Sequence, residues 1–162
     1  MTASASPADL PEVPPADRAG ILDALYRFGA GQDLDDRALF ESAFTERSTV
    51  DFTGPAKILG TEIPVFEGRQ AIADIIVGAT SRLATSHTVS NPRILRFDAE
   101  RAVLWCLVEA QHLPKDDRSR HLLLKNVYTT ELVREEGHWV IARMLIENLW
   151  AQGDPKVLFP GA

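Results

Sequence analysis

The second half of the chain dictates its fold. Four long segments, about 85–97, 101–113, 119–134 and 138–150, read as extended structure and are joined only by short turns. Those turns, Asp98-Ala99-Glu100, Pro114-Lys115-Asp116-Asp117 and Glu135-Glu136-Gly137, use residue types that reverse a chain at little conformational cost. Connections this short join antiparallel neighbours, because parallel neighbours need a long crossover. The first half has a different period. Ile21, Leu22, Leu25, Tyr26 and Phe28 recur at helical spacing, with Asp17 expected as N-cap and Gly29 and Gly31 expected to loosen the helix end. A short helix over about 36–44 puts Leu39, Phe40 and Phe44 on one face, and Ser48 to Thr53 alternates as a strand that stops at Gly54-Pro55. Gly68 opens a further helix, Arg69 to Leu83, with Ile72, Ile75, Ile76 and Ala79 as its apolar stripe. Residues 54–66, broken by glycine and proline, are expected as an ordered loop able to act as a lid. Helices first and long hairpin-linked strands after predict an α+β fold: one sheet with helices packed on one face.

The other face of that sheet then needs a partner. Along Ala102 to Ala110 both alternating sets, Val103/Trp105/Leu107 and Leu104/Cys106/Val108, are apolar, and Leu122-Leu123-Leu124 repeats the pattern. A sheet covered on one side only should not be apolar on both, so a homodimer or higher homo-oligomer formed sheet to sheet is expected. With 162 residues, 45% of them hydrophobic and 25% charged, the chain is one globular domain able to bury its own core. That domain is expected over 17–150. Residues 1–16, with four prolines, read as a flexible leader, and 151–162 as a C-terminal tail. The start lacks the basic end and apolar core of a signal peptide, and no apolar run reaches the length of a membrane span. Cys106 is the single cysteine, so neither an internal disulfide nor a cysteine metal cluster is available, which fits a reducing cytoplasm. A formal charge of −6 with dispersed basic residues gives no footprint for nucleic acid. The expected partners are a small molecule and another copy of the chain.

In this order and spacing, an Ile-x-x-x-Leu-Tyr helix runs into Asp33 and Phe44-Thr45 leads to a strand carrying Asp51. Phe66-Glu67-Gly68-Arg69 precedes a helix, His87 is followed by Asn91, and Tyr128-Thr129 and Gly137-His138-Trp139 fall in the last two strands. Over roughly residues 17–150 the chain resembles the nuclear transport factor 2-like superfamily. The resemblance is to its SnoaL-like branch of polyketide cyclases, scytalone dehydratase and hexachlorocyclohexane dehydrochlorinase. It implies a cone-shaped, cystatin-like fold, a curved mixed or antiparallel sheet wrapped around the long N-terminal helix, with a deep apolar pocket at its open end. It also implies activity without cofactor or metal. Because a fold does not settle function, a non-catalytic ligand-binding protein and a dimeric interaction module remain alternatives.

An imidazole that titrates near neutrality suits removal of a proton from carbon or hydroxyl, and a carboxylate beside it fixes the tautomer and stabilises the imidazolium. Asp33 and His87 can form such a dyad, and the resemblance assigns Asp33 as orienter and His87 as base. Residue types alone also allow Asp33 as a helix-end residue and His87 as a satisfied strand histidine. Asp35 or Asp36 is placed to cap the helix beginning at Arg37, a duty Asp33 lacks. Asn91, on the same strand face as His87 by period two, and Tyr26, two helical turns before Asp33, are candidate substrate contacts. Trp105, Tyr128, Trp139 and Trp150 offer large flat surfaces; most are expected in the core, with Trp105 and Tyr128 as the candidates to line a site for a cyclic substrate. Glu109 and His112 stand out on an otherwise apolar strand, and the second pocket histidine of scytalone dehydratase-like enzymes has His112 and His121 as candidates. His138 follows a turn and is expected in solvent. Dehydrochlorinase-like chemistry favours a basic residue near Met144, where the neighbour Arg143 is basic and Met144 is not. The histidines lack metal-site spacing, and no phosphate loop or Gly-x-Ser-x-Gly elbow occurs. The expectation is a cofactor-independent lyase or isomerase acting on a small, apolar, cyclic molecule.

Overall fold

The computed structural model describes residues 10–160; the expected leader lies outside the described residues up to position 9. Helix α1, Pro15–Asp33, buries Ile21, Ala24, Leu25, Phe28, Gly31 and Gln32 along one stripe. It begins before the expected cap. Pro14 takes that position without a side-chain bond, and the Asp17 carboxylate in the first turn instead accepts Trp139 Nε1–H at 3.0 Å and pairs with Arg134. Gly29 and Gly31 do not fray the helix either. A Cβ at Gly31 would lie 2.6 Å from the Phe40 backbone and one at Gly29 would lie 3.0 Å from His87 Cβ, so both are points of close approach.

Asp36 caps α2, Arg37–Ser42, by accepting from Leu39 N–H at 3.0 Å. Phe44 then opens strand β1, Phe44–Asp51, rather than closing that helix. The segment expected as a loop contains a short helix α3, Thr53–Ile58, and ends in β2, Phe66–Glu67. Helix α4, Arg69–Thr80, stops three residues short of the expected end because Leu83 starts the next strand. The long strands are β3, Leu83–Phe97; β4, Arg101–Pro114; β5, Leu122–Glu135; and β6, His138–Gly153. They lie in one six-stranded mixed sheet of order β2-β1-β6-β5-β4-β3, with β1 parallel to β6 and every other pair antiparallel.

The helices cover the concave face of this curved sheet, giving the α+β cone. Alternation along β4 sends Ala102, Leu104, Cys106, Val108, Ala110 and His112 inward. These meet Phe28, Phe40 and Phe44, whose rings stand 5.2–5.9 Å apart. Each apolar side chain so buried contributes about 1.5–3 kcal/mol, which is what holds α1 against the sheet. Two irregularities re-aim side chains. An extra residue in β3 between Ser90 and Arg93 puts Asn91 at φ 53°, and an extra residue in β6, Leu149, faces the Lys125–Asn126 step of β5. Beyond β6, residues expected to form a separate tail turn back in a single 3₁₀ turn, Pro155–Val157. Val157 is fully buried against Leu59, Leu83, Leu122 and Leu124. Among the described residues no helix is long and apolar enough to cross a membrane.

Candidate active site

The open end of the cone holds a hollow with about 620 Å³ of non-atom space, open solvent at its mouth included. Its walls are Val50, Phe52, Ile63, Phe66, Ile76 and Ile146, and Leu158 and Phe159 from the returning C-terminal segment close one side. Its polar side chains are Gln32, Thr80, His87, His112, Asn126 and Tyr128, with no lysine or arginine among the lining residues.

His87 and Asp33 meet beside this hollow. The last residue of α1 reaches β3, and Asp33 Oδ1 stands 2.7 Å from His87 Nδ1. A carboxylate only accepts, so Nδ1 carries the proton and Nε2 is left as the basic nitrogen. Asp33 also accepts the His87 backbone N–H at 2.8 Å and the Thr85 hydroxyl at 2.9 Å. Burial alone would raise the Asp33 pKa, but the imidazole, the amide and the hydroxyl outweigh it, and the carboxyl is held below its usual value. The His87 side chain is only 4% exposed, and Phe28 packs on it edge to face at 6.1 Å.

His112 faces His87 edge to face at 6.2 Å. Its Nδ1 lies 3.2 Å from the Leu122 carbonyl, which only accepts, so this ring too keeps its proton on Nδ1. Burial first, and the His87 charge second, push its pKa down to about 4, so His112 is neutral at pH 7. Tyr128 lies in the wall, and burial pushes its phenol pKa up, keeping it a protonated donor.

Three of the four candidate substrate contacts do not line the hollow. Tyr26 is 49% exposed; it lies on the Asp33 flank of α1 but about 10 Å earlier along the axis, where that flank meets solvent. Asn91 sits in the left-handed conformation of the β3 bulge, which ends the period-two relation to His87. Trp105 belongs to the outward set of β4, opposite Arg93 and Thr129. Glu109 is on that outer face as well, paired with Lys125 at 3.1 Å. Arg143 pairs with Glu131 on the same face, whereas Met144 is fully buried. His121 supplies a backbone carbonyl to Asp154, His138 is exposed, Trp139 is buried beside Asp17, and Trp150 is half exposed. Among the described residues, no three of the His, Cys, Asp and Glu side chains converge as metal ligands.

Asn126 and Gln32 were missed. Asn126 had a readable signal: it falls between Leu124 and Tyr128 on the inward set of β5, where a polar residue is out of pattern. Gln32 was hidden next to the more conspicuous Asp33.

A profile of the SnoaL-like domain matches residues 15–145. Terrestric acid biosynthesis cluster protein E of Penicillium crustosum is 31% identical over 145 residues, covering 86% of this chain and 87% of that protein. Among solved structures, a candidate scytalone dehydratase from Novosphingobium aromaticivorans superimposes with a TM-score of 0.71 at 18% identity, covering 85% of this chain and 87% of that one. A type 3 hexachlorocyclohexane dehydrochlorinase from Novosphingobium barchaimii gives 0.70 at 18% identity, covering 85% and 90%. The profile spans most of the chain, and the chain belongs to the SnoaL-like domain family.

Proposed function

We propose that the protein is a cofactor-independent lyase or isomerase that removes a proton from a small, uncharged, largely apolar cyclic molecule. The observation that carries this reading is the 2.7 Å contact between Asp33 and His87 at the edge of an apolar hollow. His87 Nε2 takes a proton from carbon next to a carbonyl, and the C–H electron pair moves onto the carbonyl oxygen. Asp33 stabilises the imidazolium so formed. His87 then returns the proton, either to a departing hydroxyl, which leaves as water, or to another carbon, which shifts the double bond. Neutral His112 and the Tyr128 phenol line the site without adding charge. With no cationic side chain in the wall, an acidic substrate would enter an apolar site unpaired, at a large desolvation cost. The shared fold of a dehydrochlorinase and a candidate dehydratase, and the cluster protein as a relative, support this class of chemistry.

Exchange of the α-protons of 2-indanone, followed by NMR in D₂O, tests the reading together with a panel of related cyclic ketones. Wild type is expected to accelerate exchange, and His87→Ala to lose about 10²-fold or more of that rate with its fold intact. An unchanged rate in His87→Ala ends the proposal, and binding without any catalysed exchange leaves a ligand carrier in its place. We also infer that the working unit is a homodimer joined through the convex face of the sheet.

A further inference from the structure

Asn126 is 1% exposed and lines the hollow. Its Oδ1 accepts from Asn148 Nδ2 at 2.8 Å, while its own Nδ2 has no hydrogen-bond partner. Such a donor normally finds an acceptor, and leaving it bare costs about 1–3 kcal/mol. Rotating the amide would not help, because the orientation is fixed from outside. Asn148 Nδ2 also donates to the Trp150 carbonyl at 3.0 Å and the Lys125 carbonyl at 3.3 Å. Its nitrogen must therefore point at those oxygens, and only an oxygen of Asn126 can face it. The extra residue in β6, Leu149, lies between Asn148 and Trp150 and brings the Asn148 side chain into this position. The Tyr128 phenol oxygen, in the same wall, lies near enough for the Asn126 amide to oppose the rise in its pKa, but outside hydrogen-bond geometry, so it does not satisfy Nδ2.

We propose that Asn126 Nδ2 binds an acceptor oxygen of the substrate, a carbonyl that becomes an enolate as His87 takes the proton, and that Asn148 is the positioning residue that aims it. This rests on the reading of the hollow as a site for a neutral molecule and names the oxygen function that molecule must carry. A donor that the chain itself leaves without a partner is already in place when negative charge develops on oxygen, so no reorganisation is needed at that moment.

The test compares 2-indanone with indane, the same bicycle without the oxygen, by titration followed in the NMR spectrum of the full chain. The Asn126 side-chain amide resonance, identified by its loss in Asn126→Leu, is expected to move downfield with 2-indanone and not with indane. The ratio of indane to 2-indanone dissociation constants is expected to fall about tenfold in Asn126→Leu, the worth of one buried hydrogen bond. Asn148→Ala is expected to lower the same ratio while indane affinity holds, which a general loosening of the site would not do. Both ligands binding with the ratio unchanged in Asn126→Leu, or 2-indanone binding without moving the amide resonance, overturns the Asn126 assignment and leaves the pocket intact. Failure of both ligands to bind overturns the pocket reading and this inference together.

Discussion

Asp33 holds three donors at once, and two of them come from the residue it orients. The backbone amide and ring of His87 both address the same carboxylate, so main chain and side chain are registered together. Asp33→Asn removes the charge and offers Nδ1 either an oxygen or a nitrogen, so the tautomer is no longer fixed. Exchange of 2-indanone α-protons is expected to fall about 10²-fold or more while the far-ultraviolet circular dichroism stays unchanged. The depressed Asp33 pKa also has a stability sign. Its contribution is full above the ordinary carboxylate range and is lost as pH falls through the lower folded value, a loss Asp33→Asn should not show. His112 acts at higher pH. Its pKa is about 4 in the fold against 6.5 when free, so between those values the unfolded chain binds the extra proton and stability drops as pH falls from 6.5 towards 4. Thermal melts are expected to show a flatter profile over that window in His112→Gln. These roles were legible in the sequence to different degrees. His87 and Asp33 stood out as titratable residues at element ends. The orphan donor of Asn126 depends on a bulge in the neighbouring strand, which no periodicity announces.

At the level of elements, the strands were readable because their turns are chemically explicit and their alternation is long. The first helix was harder to interpret than to find. Gly29 and Gly31 look like helix breakers, yet each sits where α1 touches another element, and that reason lies in the partner, Phe40 or His87, far along the chain. The two sites therefore predict different phenotypes. Gly31→Ala drives a methyl into the α2 backbone and is expected to cost about 1–3 kcal/mol of stability, measured by denaturant unfolding. Gly29→Ala meets only the His87 Cβ at 3.0 Å, a shift of a few tenths of an ångström, so its larger effect is expected on proton exchange rather than on melting temperature. Asn91 failed as a substrate contact for a related reason. Counting by twos from His87 keeps a residue on the same face only while the ladder is regular, and the β3 bulge begins just there. The C-terminal segment was equally hidden: Val157, Leu158 and Phe159 are too few apolar residues to read as an element, yet Val157 is buried in the core and Leu158 and Phe159 wall the hollow.

For the whole molecule, the question is what covers the convex face. Strand register places Leu107 beside Val127, and Trp105 beside Thr129 and Leu145, as adjacent rows across β4, β5 and β6. Glu109 with Lys125 lies on one side of these rows and Glu131 with Arg143 on the other. An apolar centre between two pairs of mixed sign is self-complementary: rotated by a half turn, each acidic group of one copy can approach a basic group of the other. The helices occupy the opposite face, and within the chain Trp105, Leu107, Thr129 and Leu145 stay half-buried around a buried Val127; a partly covered apolar patch of this kind fits an association site. The hollow is lined from the helices and the inward face of the sheet, so two copies joined back to back would leave both sites separate from the interface. Sedimentation equilibrium is expected to give twice the monomer mass for wild type. Leu107→Asp, which puts an unpaired carboxylate at the centre of the patch, is expected to give the monomer mass with the fold and 2-indanone binding retained. A wild type that sediments as a monomer at micromolar concentrations, or a Leu107→Asp variant that still pairs, would show that the sheet face is apolar for some reason other than self-association.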